Sequence, residues 1–155
     1  MVFQIISFLG LIIGIILSNK FKSELKDIKK FLQLTIFIIF IAIILRLTLL
    51  TQFNLLFFMG LILGALLNYF LKNNYLFFGS ILTLNFIDKL FFGILIFIYG
   101  LIYPGLNKID NKKVIISLIF FALPFILLLT SLDYSNFIIG FSIGGMLIGL
   151  KQHYK

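Results

Sequence analysis

The sequence predicts an all-α protein: a polytopic transmembrane helical bundle of six to seven membrane segments, in one integral membrane domain over residues 1–155. Three observations carry this. Hydrophobic residues make up 62% of the chain and charged residues 12%, against about 45–50% and about 25% in soluble domains. The mean hydropathy is +1.21, and a chain of 155 residues has too little interior to hide that much apolar surface from water. The apolar residues also come in long runs, without the two-residue alternation of a transmembrane β-barrel. Helices are then the remaining way to satisfy backbone polar groups in lipid.

The first run, 2–17, has no charge before it and Lys20 and Lys22 after it. A secretory signal peptide has the reverse order and a small-residue cleavage site, so this run reads as a retained first segment. Residues 18–30 form a basic amphipathic loop. Phe21, Leu25, Ile28 and Leu32 fall on one helical face, and Lys22, Lys26, Lys29 and Lys30 lie largely off it. An amphipathic helix of this kind suits the membrane surface, with its lysines against anionic lipid headgroups. The plainer account is a topogenic loop that snorkels its lysines. The runs 31–50 and 53–71 approach the roughly 20 residues that a crossing needs. Arg46 stands one turn from the end of the former. The runs 114–132 and 134–150 complete the set, and Pro124 is expected to kink the first of them.

The run from 75 to 106 is the anomaly, because it carries Asp88 and Lys89 near its middle. A single helix of that length would extend about 48 Å, well beyond a hydrocarbon core of about 30 Å. It would also hold two charges in lipid, which is costly. A break near residues 85–89 gives segments 75–87 and 90–105 instead, with Asn85 and Asp88 as turn formers and Asp88 as a cap for the second helix. Charge counting favours the break. It places the N-terminus outside and the C-terminus in the cytoplasm. Lys20, Lys22, Lys26, Lys29, Lys30, Lys72, Lys108, Lys112, Lys113, Lys151 and Lys155 then lie inside, and only Arg46 and Lys89 outside. An unbroken helix splits the charges evenly and strands Lys89, against the rule that positive charge stays in the cytoplasm. Two short spans and a re-entrant hairpin with Asp88 and Lys89 at its tip both satisfy this count.

Three segments share a pattern: "FLGLIIGIILSNKFK", "FMGLILGALLNYFLK" and "IGFSIGGMLIGLKQH". Each carries Gly-x-x-x-Gly, as Gly10 and Gly14, Gly60 and Gly64, and Gly140 and Gly144. Small residues four apart let helix backbones approach closely, so these six glycines are expected at helix–helix contacts. The shared pattern also suggests an internal duplication.

Chemistry is sparse. Without cysteine there is no thiolate nucleophile and no Cys-based metal site. The acids are Glu24, Asp27, Asp88, Asp110 and Asp133, and His153 is the one histidine. None of these forms a metal-ligand set, and neither a phosphate-binding loop nor a serine-hydrolase elbow is present. No catalytic residue, cofactor or metal is expected. Polar residues do interrupt the apolar runs, namely Gln33, Thr35, Arg46, Asn68, Ser80, Thr83, Asn85 and Ser117. Thr83, Asn85, Asp88 and Lys89 are the closest to a cluster and form a candidate transport or structural polar site. The competing account is that serine and threonine bond their own helix while Asn85 and Asp88 make a turn. The net charge of +8 fits lysines beside anionic lipid better than nucleic acid. The expected function is a small multi-pass membrane protein with a structural or accessory role, as a homo-oligomer or beside a membrane-complex partner. The alternative is a small transporter or channel with a polar site at Asn85–Lys89. A lipid-modifying enzyme ranks last for want of a catalytic set.

Overall fold

The structure, a computed structural model, describes residues 2–22, 24–84, 88–107, 111–129 and 134–153. Among these the chain is all-helical, with no strand. In order it forms α1 (Val2–Lys20), α2 (Glu24–Asp27), α3 (Lys29–Leu49), α4 (Leu55–Leu71), α5 (Tyr75–Thr83), α6 (Lys89–Leu106), α7 (Asn111–Ala122), a 3₁₀ stretch (Leu123–Leu129) and α8 (Ser135–His153). Two of these, α3 and α6, are long and apolar enough to cross a membrane; α1, α4 and α8 contain shorter apolar helices.

Local sequence sets several boundaries. Asn54 starts α4, its Oδ1 accepting the Phe57 N–H at 3.0 Å, which satisfies one of the helix's orphan donors. Lys72 ends α4 in the left-handed region at φ 52°, and its N–H returns to the Asn68 carbonyl. At Pro124 the α-helical pattern gives way: α7 stops at Ala122 and continues as the 3₁₀ stretch. Proline lacks the N–H for the i→i−4 ladder, so the turn tightens where a kink was expected. The amphipathic loop 18–30 differs more. Instead of one surface helix, α1 runs on to Lys20, α3 starts at Lys29, and only the four residues of α2 lie between them. So short a segment cannot sustain a helix on its own. The neighbouring helices take up the rest.

The run 75–106 is divided. Helix ends at Thr83, Leu84 is extended (φ −66°, ψ 137°), and α6 begins at Lys89. The first half is therefore shorter than 75–87, and residues 85–87 lie outside the described residues.

Helix directions follow from the contacts. At the α4–α8 seam, Gly140 faces the Phe57 carbonyl and Gly144 that of Leu61, while Gly60 faces Phe137 and Gly64 faces Phe141. Both series ascend together, so α4 and α8 are parallel. In the same way Gly10 meets Phe97, and Gly14 meets Gly100 and Leu101, so α1 and α6 are parallel. α5 runs against α8, with Asn74 near Gly149 and Phe77 near Ser142. Arg46 reaches Asp88 while Leu32 lies near Gly105, so α3 runs against α6. α7 follows α5, pairing Ser117 with Asn73 and Phe121 with Gly79. Apart from α2, successive helices alternate in direction. All nine residues of α5 are buried, and it forms the axis around which the others pack. Phe77, Phe78, Ile81 and Leu82 from α5 join Phe40, Ile43, Phe92, Ile96, Tyr99 and Met146 in the core.

The distribution of polarity is inverted. Large apolar side chains cover the outside, as with Leu49, Leu55, Phe70 and Phe31 at 77%, 76%, 73% and 68% exposure, while Ser7, Asn68 and Ser142 are fully buried.

Candidate functional site

The structure gathers polar groups at two levels of the bundle. The first surrounds the interruption between α5 and α6. The Thr83 hydroxyl is buried and donates to the Ser80 carbonyl at 2.6 Å, and the Ser80 hydroxyl donates to the Leu76 carbonyl at 2.9 Å. Both therefore bond their own helix, as hydroxyls in apolar surroundings commonly do. Asp88 holds the N-cap position of α6, but its side chain makes no capping bond. Its carboxylate Oδ2 instead accepts from Arg46 Nε at 2.8 Å and Nη2 at 2.6 Å. This corrects the capping role expected of Asp88: a guanidinium offering two aligned donors outcompetes a single backbone N–H. The pair is half open to solvent, at 43% and 24% side-chain exposure. Lys89 begins α6 beside it. Asn85 lies outside the described residues. The structure thus brings Asp88 together with Arg46, 42 residues away, and leaves Thr83 turned into its own helix. At the same level Gln4 Nε2 donates to the Leu82 carbonyl at 3.3 Å, tying the start of α1 to the end of α5.

The second level lies toward the other end and is buried. Asn68 on α4 donates through Nδ2 to Asn74 Oδ1 at 2.9 Å and to the Gly145 carbonyl. Asn74 Nδ2 donates in turn to the Tyr99 hydroxyl at 3.0 Å. One chain of amides and a phenol thus links α4, the start of α5, α6 and α8. Gly149 gives it room, since a Cβ there would run into Asn74 and Asn68. Tyr75 and Tyr103 pack against Tyr99, with ring centroids 5.8 and 5.2 Å away. The Tyr75 hydroxyl is buried and has no hydrogen-bond partner among the described residues. Asn68 is legible in the sequence as a polar interruption. Asn74 and Tyr99 are not, because Asn74 reads as a loop residue and Tyr99 as one aromatic among many. The "NN" preceding an apolar helix is the only local signal.

The six glycines of the shared pattern all face the backbone of another helix. Gly60, Gly64, Gly140 and Gly144 meet each other's helices, and Gly10 and Gly14 meet α6. The partner there lacks Gly-x-x-x-Gly. Its Gly100 faces the backbone of Gly10 and Leu11, and it is joined seven residues earlier by Gly93, whose carbonyl accepts from the Ser7 hydroxyl at 3.1 Å. A seven-residue spacing also returns to one helix face.

Among the described residues no three His, Asp or Glu side chains stand close enough to hold a metal. Among the described residues the two levels offer hydrogen bonds and the Arg46–Asp88 ion pair, which fix helices to one another. No protein-family model matches the chain, and no curated protein or solved structure is significantly similar to it.

Proposed function

We propose that this chain is a small multi-pass integral membrane protein of the cell membrane with a structural or accessory role, acting as a subunit or homo-oligomer among other membrane proteins. The observation that carries this reading is the inverted polarity: exposed leucine, isoleucine and phenylalanine outside, buried asparagine, serine and threonine inside. In water such a surface would associate without limit; in lipid it is the expected exterior. On this reading α1 and α3 to α8 are seven crossings, with α5 short and sheltered by its neighbours and α2 on the cytoplasmic surface. The alternating helix directions support it. They bring Lys20, Lys22, Lys29, Lys30, Lys72, Lys112, Lys113 and Lys151 to one end, and Arg46 and Lys89 to the other. The lysine-rich end is then cytoplasmic, with the N-terminus outside. Anionic headgroups would gather at 18–30.

The accessory role is favoured over transport by how the polar groups near the interruption are used. Asp88 is engaged by Arg46 and Thr83 by its own helix. The transporter or channel reading keeps one observation in its favour, an interrupted helix at the centre of the bundle, which is how many transporters build their sites.

Single cysteines at positions 89, 110 and 153, probed on intact cells with an impermeant thiol reagent, test the topology. Labelling is expected at 89 alone, and labelling at 110 or 153 overturns the orientation. Purification in mild detergent tests the role. A stoichiometric partner or a defined homo-oligomer is expected, whereas a lone chain that conducts ions in planar bilayers would replace this reading with the channel.

A further inference from the structure

At the lysine-rich end, α1 and α6 finish side by side beneath α2 and the start of α3. Two clefts open there and meet at Leu25 and Gly105, which line both. The first, of about 320 Å³, is lined by Ser18, Asn19, Lys22, Lys29 and Asn107. The second, of about 370 Å³, is walled by Leu17, Leu32, Leu101 and Ile102, with Glu24 at its edge. The first cleft, whose lining also includes Ile15, Pro104 and Leu106, carries two lysines and three further polar side chains; it adjoins a more strongly apolar one, and both open to the surface. Gly105 keeps them joined: its missing side chain leaves only the methyl groups of Leu25 (3.1 Å from a Cβ built there) and Leu32 (3.7 Å) between them. This also accounts for α2. Leu25, half-buried, comes down onto α6 at Gly105, so the short turn is pinned above the clefts.

The geometry points to a binding site for one anionic phospholipid, its phosphate between Lys22 and Lys29 and an acyl chain along Leu17, Leu32, Leu101 and Ile102. Two ammonium groups and the Asn19 amide suit a phosphate oxyanion, and among the described residues no carboxylate lines that cleft. Glu24 stands on the other side of Leu25 and so disfavours a headgroup in the apolar cleft. A free phosphate would use the first cleft and leave the second idle; a lipid uses both. The proposal rests on the membrane reading above and sharpens it, from lysines that attract a charged surface to a site for a single molecule.

The test uses the full chain purified in neutral detergent, with thermal unfolding followed as ligand is added. Phosphatidylglycerol is expected to raise the midpoint saturably, and phosphatidylcholine and soluble glycerol 3-phosphate to leave it unchanged. Lys22→Ala and Lys29→Ala should each weaken the response about tenfold, the scale of one charge-assisted bond. Lys112→Ala with Lys113→Ala, which keeps both clefts, should not. Gly105→Leu would fill the junction and remove the lipid response; its ligand-free midpoint reports whether the variant still folds. An equal midpoint rise with glycerol 3-phosphate would overturn the lipid and leave a soluble phosphate ligand. An undiminished response in Lys22→Ala/Lys29→Ala would overturn the site itself. Alkaline carbonate extraction of cell membranes separates these failures from the underlying reading: a wild-type chain released by carbonate sinks the membrane assignment, while a chain retained without any lipid response sinks only this one.

Discussion

Tyr75 and Tyr99 sit against each other, both buried, with ring centroids 5.8 Å apart at an edge-to-face angle. Their hydroxyls differ. That of Tyr99 accepts from Asn74 Nδ2, whereas that of Tyr75 has no partner among the described residues. A buried hydroxyl without a partner keeps its desolvation cost and gains nothing in exchange. Removing one partner of a bonded pair leaves the other exposed to the same cost. Tyr75→Phe is therefore expected to unfold at or above the wild-type midpoint. Tyr99→Phe should lose about 0.6 kcal/mol and no more than about 1.7 kcal/mol, the average and the maximum measured for hydrogen bonds between membrane helices. Detergent melts of the two variants check this, and a Tyr75→Phe loss equal to that of Tyr99→Phe would mean that the Tyr75 hydroxyl is bonded. At this scale the sequence is legible in part. Asn68, Ser80 and Thr83 stand out as polar letters in apolar runs, and the local bonds of Ser80 and Thr83 follow from residue type. The partnerships of Asn74 with Tyr99 and of Arg46 with Asp88 span 25 and 42 residues. Only tertiary packing creates them, so no local pattern announces them.

Between elements, the α4–α8 seam has the closest approach. A Cβ at Gly64 would overlap the Phe141 carbonyl oxygen, and one at Gly144 that of Leu61. The obstacle in each case is backbone, which cannot rotate aside as a side-chain tip can. On the membrane reading, dispersion across so close a seam is what holds the two helices together, since no hydrophobic drive exists between helices in lipid. Gly64→Leu or Gly144→Leu should therefore destabilise by more than the about 1–3 kcal/mol usual for overpacking a core, and even Gly64→Ala should be felt. Leu66→Ala, on the exposed side of α4, serves as the control. An unchanged melting midpoint for Gly64→Leu in detergent would remove the seam. The three glycine-bearing segments are plain in the sequence. Their pairing is not, since three copies of one motif suggest a common partner, and α1 in fact takes α6 with its seven-residue spacing. The length of α5 is less legible: it stops at Thr83, before the turn formers, and its last residues are buried among other helices, packing that no local pattern shows.

For the whole molecule, the alternation of helix direction and the clustering of lysines at one end make a single argument about insertion. Packing sets how the helices run relative to one another; on the membrane reading proposed above, charge is what would choose the end that faces the cytoplasm. On the proposed topology the count is eleven cationic residues inside against two outside, and of those two Arg46 is paired with Asp88 at 2.6 Å. Orientation is therefore expected to survive loss of the 18–30 lysines alone, which leaves six against two. It should fail once the excess is gone. Replacing Lys20, Lys22, Lys26, Lys29 and Lys30 with glutamine, together with Gln52→Lys, Phe53→Lys, Ser131→Lys and Asp133→Lys, brings the count to six on each side without touching a glycine seam. Tyr154→Cys reports the result. In the otherwise wild-type chain and in the five-glutamine variant it should stay protected from an impermeant thiol reagent on intact cells. In the balanced variant a substantial fraction should label, because neither orientation is then preferred. Continued protection in the balanced variant would show that packing or a partner, and not lysine placement, decides how this bundle enters the membrane.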